Sequence, residues 1–393
     1  MFGWKSIYTF AWDFAEQGID TSTAEFKALG LNTVTFAGSY HSGKFLRPRS
    51  SSPVVFPEDG TVYFHHDPSL YGKIKPIPNS ILDSRDILSE LVRKSETAVN
   101  VWLVLLHNTK QGERNPKDCV TNAFGDRYIY NLCPSSPHSR DYAIGLASDV
   151  STNYPIVGVS IESPGFTPFV HGFHHEFNLV QPNQWLENLL GICFCDHCLK
   201  GAAENGIDAN RLQARVRSWI QDYLDSEIDY PKDMAESFWL ADIATDSELM
   251  AFMTWRCQVV TSLVSEIRAA VASQVTVAVI PSVGRPTANA WYEGSKLVDL
   301  KEAAGHLEIC LYEPNSLRAV ADLEDVCRRL GTIDGLRCII RPSAPDLNTA
   351  SEVRSTVSLI ASKGVDGISF YNWGFLRKYN LRYIYESLKA LDT

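Results

Sequence analysis

Three cysteines stand within one short turn of the chain, in the sequence GICFCDHC that spans residues 191–198. The C-x-C-x-x-C spacing of Cys193, Cys195 and Cys198 suits a tetrahedral metal ion that binds thiolates, such as zinc. Two other interpretations stay open: free thiols packed around a turn, or a redox pair formed by Cys195 and Cys198. The redox pair leaves the third cysteine unexplained and lacks a thioredoxin-like βαβ context. A structural metal site is therefore the favoured hypothesis.

A closed structural site needs a fourth ligand. Cys133 is the nearest upstream candidate, Cys119 is the second, and His197 inside the turn is a weaker third. The chain has nine cysteines, an odd number, which argues against the disulfide framework of a secreted protein. The cysteines therefore favour reduced thiols or a metal site, and a cytoplasmic location.

Carboxylates follow several of the predicted strands and are the candidate catalytic groups. Asp13 follows the first strand, Glu162 ends the fourth and Glu313 follows the sixth. Glycoside hydrolysis uses such groups, because one carboxylic acid protonates the leaving oxygen and a second carboxylate acts as nucleophile or base. We therefore predict a site of carboxylate acid/base catalysis.

Side-chain alternation along a strand decides which carboxylates point into the site. If Val159 and Ile161 face the surrounding helices, Glu162 faces the interior, so it is the preferred acid/base. The same alternation turns Glu313 outward unless the Tyr-Glu-Pro turn re-aims it, yet Glu313 is the preferred second carboxylate. Asp13 is the third candidate and is expected to bind a sugar hydroxyl or to orient an arginine.

The segment VHGFHHE, residues 170–176, offers a different chemistry. His171, His174, His175 and Glu176 are the residue types of a hydrolytic or isomerising metal site, but their spacing does not match the helical H-E-x-x-H arrangement. Histidines beside a polar pocket also bind ligands or pack. A catalytic metal, a substrate-binding role and a packing role therefore all stay open.

Polar and aromatic residues near other strand ends are candidate substrate ligands. Aromatic rings can stack on the C–H face of a sugar, and histidine and asparagine can hydrogen-bond its hydroxyls. An arginine ending the seventh strand suits a substrate carboxylate, as in a uronic or aldonic acid, or else pairs with Asp346 or Glu313. The predicted substrate-binding residues are Tyr40, His41, His107, Asn108, His171, His174, His175, Arg341, Tyr371 and Trp373.

Eight apolar runs alternate with helical segments along the chain, several of which end on glycine. This pattern predicts an α/β fold of the (β/α)8 TIM barrel type and not an open doubly wound sheet. The predicted strands span residues 5–11, 32–37, 99–107, 156–162, 275–281, 307–312, 336–341 and 367–372.

Residues 1–393 are predicted to form one barrel domain. Two connections, residues 38–83 after the second strand and 163–246 after the fourth, are too long to be ordinary. Both lie at the end of the barrel where active sites occur. We therefore predict that they are insertions that shape the substrate pocket.

The composition is that of an ordinary globular protein, with 45% hydrophobic and 21% charged residues. A net charge of −10 and the lack of a basic run argue against binding to nucleic acid. No apolar run reaches the roughly 18 residues of a membrane-spanning helix. Nucleic acid and membranes are therefore not expected partners. The candidate carboxylates and aromatic residues point instead to a small carbohydrate or glycoside, and the chain could form a homo-oligomer.

The region of the cysteine turn and Glu162 is similar to the glycoside hydrolase family 42 β-galactosidases. The sequence CPSSPHSRDYAIGLASDVSTNYPIVGVSIESPG, followed by CFCDHC, follows that family's order of a Cys-Pro-Asn-Ser-Pro motif, a strand-four glutamate and a C-x-C-x-x-C turn. The similarity covers about a fifth of the chain, residues 131–198. It implies a TIM barrel of the retaining glycosidase clan, an acid/base role for Glu162, and a structural zinc held by Cys133, Cys193, Cys195 and Cys198.

The chain departs from this family at three places, and we interpret it as a distant relative. Ile161 replaces the asparagine before the strand-four glutamate, Arg341 stands where the seventh strand should end in a carboxylate, and VHGFHHE is inserted before the cysteine turn. The predicted function is a glycoside hydrolase-like enzyme acting on a small carbohydrate or glycoside, with structural zinc and no organic cofactor. The alternatives are a metal-dependent sugar-acid isomerase or lyase, and a non-catalytic carbohydrate-binding barrel.

Overall fold

The computed structural model describes residues 2–170, 173, 177, 179–181 and 183–391. Its centre is a closed barrel of eight parallel strands, in which each strand pairs with the next and the last pairs with the first. The predicted TIM barrel is thereby confirmed. The barrel strands are β1 (Trp4–Thr9), β2 (Thr33–Tyr40), β3 (Ala98–Val104), β4 (Gly158–Glu162), β5 (Thr276–Ile280), β6 (Gly305–Cys310), β7 (Leu336–Ile340) and β8 (Gly367–Phe370).

Helices surround the barrel, and none within the described residues is long and apolar enough to cross a membrane. Their ends follow local sequence signals. The helix Ser316–Leu330 is preceded by the N-cap residue Asn315, whose side chain accepts from the Arg318 N–H. It is followed by Gly331 in the left-handed conformation. The helices are α1 (Ala11–Gln17), α2 (Ile19–Ala28), α3 (Ile87–Lys94), α4 (Thr109–Arg114), α5 (Pro137–Asn153), α6 (Gln184–Leu190), α7 (Asp196–Glu204), α8 (Ala209–Leu224), α9 (Lys232–Thr245), α10 (Ser247–Ala270), α11 (Leu297–Ala304), α12 (Ser316–Leu330), α13 (Ala350–Ser362) and α14 (Lys378–Lys389).

The connections at the C-terminal end of the barrel carry extra elements. Between β2 and α3, the hairpin of Phe45–Leu46 with Val54–Val55 is followed by Thr61–Val62, which pairs antiparallel with the end of β2. Between β3 and α5, α4 is followed by the hairpin of Cys119–Thr121 with Arg127–Leu132. The connection between β4 and β5 contains α6 to α10. All of these segments follow the C-terminal ends of barrel strands.

A belt of hydrogen-bonded polar side chains crosses the barrel interior below the mouth. Ser160 on β4 accepts from Asn100 Nδ2 at 2.9 Å and donates to Glu308 Oε2 at 2.6 Å. Ser369 on β8 donates to the other oxygen of Glu308 at 2.8 Å. Glu308 is fully buried, so these bonds offset part of the cost of removing it from water. Because Ser160 points inward, Glu162 lies one layer higher, at the mouth.

Candidate active site

Glu162 is positioned by the end of β4 and by a tryptophan on the neighbouring strand. Trp102 Nε1 on β3 donates a hydrogen bond to Glu162 Oε2 at 2.7 Å. Burial raises the pKa of Glu162 to about 7, and the hydrogen bond from Trp102 opposes that rise. A carboxyl group that exchanges its proton near neutral pH is suited to acid/base chemistry.

A second carboxyl group, Glu293, ends the short 3-10 helix Thr287–Glu293 in the connection after β5. Its backbone is fixed against the β4 connection, because its carbonyl accepts from the Phe166 N–H at 2.9 Å. Only glycine fits at position 165, since a Cβ there would lie 2.2 Å from the same carbonyl oxygen. The loop that carries Glu293 is therefore held close to the strand that carries Glu162.

The pKa of Glu293 is raised to about 8. Burial is the main cause, and the negative charge of Glu162 raises it further. The Ser282 hydroxyl donates to Glu293 Oε1, which opposes the rise. The negative charge of Glu162 thus helps to hold the pKa of Glu293 above that of Glu162.

Glu162 and Glu293 line one cavity of about 220 Å³. This middle cavity shares Glu162 and Val283 with a cavity of about 340 Å³ over the barrel axis. It shares Ser282 and Glu293 with a cavity of about 510 Å³ between the β4 and β5 connections. We call the cavity over the barrel axis the inner cavity and the cavity between the β4 and β5 connections the outer cavity. The three form one continuous cleft, with the carboxyl pair at its middle.

Six of the thirteen residues that line the inner cavity carry aromatic rings. The hydroxyls of Tyr40 and Tyr371 lie 3.4 Å apart, and the His41 ring stacks on that of Tyr40 with centroids 4.2 Å apart. The wall suits the apolar faces and hydroxyls of a sugar ring. The inner cavity is lined by Tyr8, Tyr40, His41, Trp102, Glu162, Ile280, Val283, Arg285, Cys310, Tyr312, Ile339, Arg341 and Tyr371.

Four of the predicted substrate-binding residues therefore meet in the inner cavity, namely Tyr40, His41, Arg341 and Tyr371. His107 lies behind them, with its ring stacked on that of His41 at 4.6 Å. The outer cavity adds two stacked indoles, Trp239 and Trp291, whose centroids are 6.2 Å apart.

Glu313, the predicted second carboxylate, lies away from this cleft. It is 3% exposed, and its Oε2 accepts from Arg318 Nε at 2.7 Å. It is not among the residues that line the inner, middle or outer cavity. The outward direction follows the alternation along β6, and the turn after Tyr312 does not re-aim the side chain. The structure does not bring Glu313 and Glu162 together.

Asp13 also lies outside the cavities, at the start of α1. Its Oδ2 accepts from the Phe10 N–H at 3.0 Å, and its Oδ1 lies 3.5 Å from Arg47 Nε. Burial raises its pKa to about 6, and the Phe10 amide and the nearby arginines oppose the rise. Asp13 thus caps a helix and contacts an arginine.

Two further residues that were predicted to bind substrate instead make hydrogen bonds within the fold. Asn108 caps α4 through the Gln111 N–H at 3.0 Å and donates to Gly60 O at 3.1 Å. Trp373 is fully buried and donates to Glu25 at 3.0 Å. Neither of them lines the cleft. The remaining candidates, His171, His174, His175 and Glu176, lie outside the described residues.

The four cysteines predicted to bind metal lie together in a buried cluster. Cys133 Sγ lies 3.5 Å from Cys198, 3.6 Å from Cys195 and 3.9 Å from Cys193. A tetrahedral zinc ion with Zn–S bonds of about 2.3 Å would separate its sulfurs by about 3.8 Å. The cluster can therefore hold a metal. It is the only group of three or more potential metal ligands among the described residues.

Sequence reasoning missed Glu293 and Arg285, which both lie in the connection after β5. Neither follows a strand end, so alternation along a strand says nothing about their direction. The sequence signal at this place is weak: an arginine before proline, and a glutamate before Gly294, whose φ of +87° breaks the 3-10 helix.

The barrel is similar to solved structures of glycoside hydrolases. The glycoside hydrolase domain of PgaB (BpsB) from Bordetella bronchiseptica matches with a TM-score of 0.60 at 13% identity, over 98% of both chains. A β-galactosidase from the psychrophilic Marinomonas ef1 matches with a TM-score of 0.56 at 10% identity, over 99% of this chain and 59% of that one. The catalytic domain of a β-amylase from Paenibacillus polymyxa matches with a TM-score of 0.54 at 10% identity, over 98% of both chains.

No protein-family model and no curated protein sequence matches the chain. The similarity to the three structures is one of fold. Membership of glycoside hydrolase family 42 stays a prediction from the motifs around Glu162.

Proposed function

We propose that this protein is a glycoside hydrolase that cleaves a glycosidic bond between Glu162 and Glu293. The observation that carries the proposal is the pair of carboxyl groups on one cavity wall, with pKa values raised to about 7 and about 8. Carboxyl pairs with shifted and unequal pKa values are typical of acid and base partners. The fold supports the proposal, because three glycoside hydrolases share it.

We assign the two roles from the order of the raised pKa values, about 7 for Glu162 and about 8 for Glu293. Between pH about 7 and about 8, Glu162 is ionised while Glu293 keeps its proton. Glu293 then donates its proton to the leaving oxygen, and Glu162 attacks the sugar or activates a water molecule. This assignment replaces Glu313 by Glu293 as the second carboxyl group and makes Glu162 the base or nucleophile.

The cleft supports a substrate with sugar units on both sides of the scissile bond. The inner cavity of about 340 Å³ holds one sugar ring against aromatic walls. The outer cavity of about 510 Å³ receives the part that leaves with the aglycone or the next sugars. A small glycoside fills only the inner and middle cavities.

We also propose that the four cysteines hold a structural zinc ion. Besides the sulfur spacing, backbone N–H groups of Ser135 and Thr121 point at the sulfurs of Cys133 and Cys193 at 3.4 Å, as thiolate ligands require. Zinc bound there would supply thiolate cross-links between the β3 and β4 connections. The chain itself links that region to the site, because the Tyr292 hydroxyl, next to Glu293, donates to Asn188 O.

The test is turnover of aryl glycosides in both anomeric forms by wild type, Glu162→Gln and Glu293→Gln. We expect wild type to release the phenol from at least one glycoside. Each substitution should lower kcat/KM by about 10²- to 10⁴-fold with a substrate that has a poor leaving group. The control is Glu248→Gln on α10, since Glu248 pairs with Arg211 outside the cleft and its loss should leave turnover unchanged. A protein that cleaves no glycoside would contradict the proposal.

A further inference from the structure

Two arginines from different connections converge on one buried carboxylate at the inner cavity. Arg341, at the end of β7, donates from Nε to Asp346 Oδ2, and Arg285, after β5, donates from Nη1 to Asp346 Oδ1 at 3.2 Å. The Asp346 side chain is 1% exposed and does not line the cavity, whereas both arginines do. One carboxylate thus balances one of two guanidinium charges. The arginine side of the cavity wall is therefore left with a net positive charge, whereas Glu162 carries the negative charge elsewhere in the lining.

The guanidinium of Arg341 is held in a fixed orientation. Its Cζ lies 4.1 Å from the centre of the Tyr312 ring, and its Nε is engaged by Asp346. Its two Nη groups have no hydrogen-bond acceptor among the described residues, and the side chain is 26% exposed. A planar, fixed guanidinium with two open N–H groups matches a carboxylate in two-point geometry.

Among the described residues that line the inner cavity, the one carboxylate is Glu162. Glu162 accepts a hydrogen bond from Trp102 and forms no ion pair with either arginine, so it does not take the place of a ligand carboxylate on Arg341. Glu162, Tyr371 and Arg341 all line the inner cavity, and the charges of Glu162 and Arg341 both act on the pKa of the Tyr371 hydroxyl. One sugar ring can therefore reach both groups, with its reacting carbon at Glu162 and a substituent at Arg341. A neutral sugar would cover the open Nη groups of Arg341 without balancing the surplus positive charge that Asp346 leaves, which is unfavourable.

We propose that the inner cavity binds a glycosyl unit that carries a carboxylate, a uronic acid residue, with that carboxylate on Arg341 and Arg285. The proposal rests on the proposed glycoside hydrolase function, which it deepens by naming the substrate class. The preferred substrates are then uronides, and the parent hexosides are poorer substrates.

Binding and turnover are measured separately. Titration calorimetry of wild type with free D-glucuronate, D-glucose and D-glucose 6-sulfate compares three sugars that differ only at one carbon, and D-galacturonate with D-galactose repeats the comparison. We expect the uronates to bind about tenfold or more tightly than the hexoses, as a charge-assisted pair predicts. Aryl uronides should exceed the matched hexosides in kcat/KM by a similar factor.

Substitutions connect this preference to the two arginines. Arg341→Gln should raise KM for the uronide about tenfold or more and change KM for the hexoside by less than about threefold. Arg285→Gln is the second variant, because Asp346 keeps Arg341 as its partner and the fold is preserved. Arg211→Gln, which removes an exposed ion pair with Glu248 on α10, is the matched control and should leave the ratio of uronide to hexoside unchanged.

The outcomes separate the two proposals. Equal affinity for uronates and hexoses, or tighter binding of the 6-sulfate, overturns the inference, even if hexosides are hydrolysed. Uronate binding that depends on Arg341, with no aryl glycoside cleaved, supports the binding site and contradicts the hydrolase.

Discussion

Glu293→Gln should stabilise the protein at alkaline pH. The pKa of Glu293 is raised from 4.5 to about 8 in the folded protein, so the folded state holds a proton that the unfolded state releases. The stability that protonated Glu293 contributes is fully present below pH about 4.5, the unfolded pKa, and is lost as the pH rises through the folded pKa of about 8. Glutamine keeps the shape and carries no titrating proton. The difference in unfolding free energy between variant and wild type should therefore grow with pH.

The magnitude follows from the shift. At about 1.4 kcal/mol per pKa unit, a rise from 4.5 to about 8 corresponds to at most about 5 kcal/mol. The Glu293 side chain is partly exposed to the cleft, and solvent there reduces the effect of its charge. We therefore expect a smaller gain of about 2–3 kcal/mol. That gain should be small at about pH 4, below the unfolded pKa, and complete at about pH 9.

Urea unfolding followed by circular dichroism, at several pH values in this range, gives the difference directly. Glu248→Gln is the matched control of opposite sign, because the hydrogen bond from Arg211 lowers the pKa of Glu248. Removing the negative charge of Glu248 should lower the unfolding free energy by up to about 1 kcal/mol, and by the same amount at every pH between about 5 and about 9. A Glu293→Gln effect that does not change with pH would refute the reasoning about Glu293.

Three further predictions concern residues that do not line the cleft. Elemental analysis should find one zinc ion per chain, and Cys195→Ser should lose it together with several degrees of Tm; wild type without metal would contradict the cysteine site. Asn108→Ala should cost about 1–2 kcal/mol in urea unfolding, because it removes the cap of α4, while KM for the best aryl glycoside stays unchanged; a raised KM would return Asn108 to the substrate site. Glu313→Gln should leave kcat/KM within about threefold, whereas a loss of about 10²-fold or more would restore it as the catalytic partner.

The barrel could be predicted from the sequence because each strand is a short apolar run and each helix carries its own end signals. The interior position of Glu162 followed from the same regularity, since alternation along β4 needs no knowledge of the neighbours. The cysteine turn could be found from spacing, while the choice of Cys133 as fourth ligand came from the resemblance to family 42.

The second carboxyl group could not be predicted in this way. Glu293 lies in a connection whose path depends on the Phe166 amide and on the space left by Gly165, two contacts far away in the sequence. Trp373 was assigned to the substrate although it is fully buried, because an aromatic residue after a strand has the same sequence signature in a core and in a pocket.

The pH dependence of kcat/KM, measured for wild type and Glu293→Gln with an aryl glycoside of good leaving group, tests the carboxyl pair most directly. We predict a bell-shaped profile for wild type, rising as Glu162 ionises near pH 7 and falling as Glu293 ionises near pH 8. The variant should keep the acidic limb and lose the alkaline one, because it has no proton to lose. An alkaline limb that persists in Glu293→Gln would contradict the account.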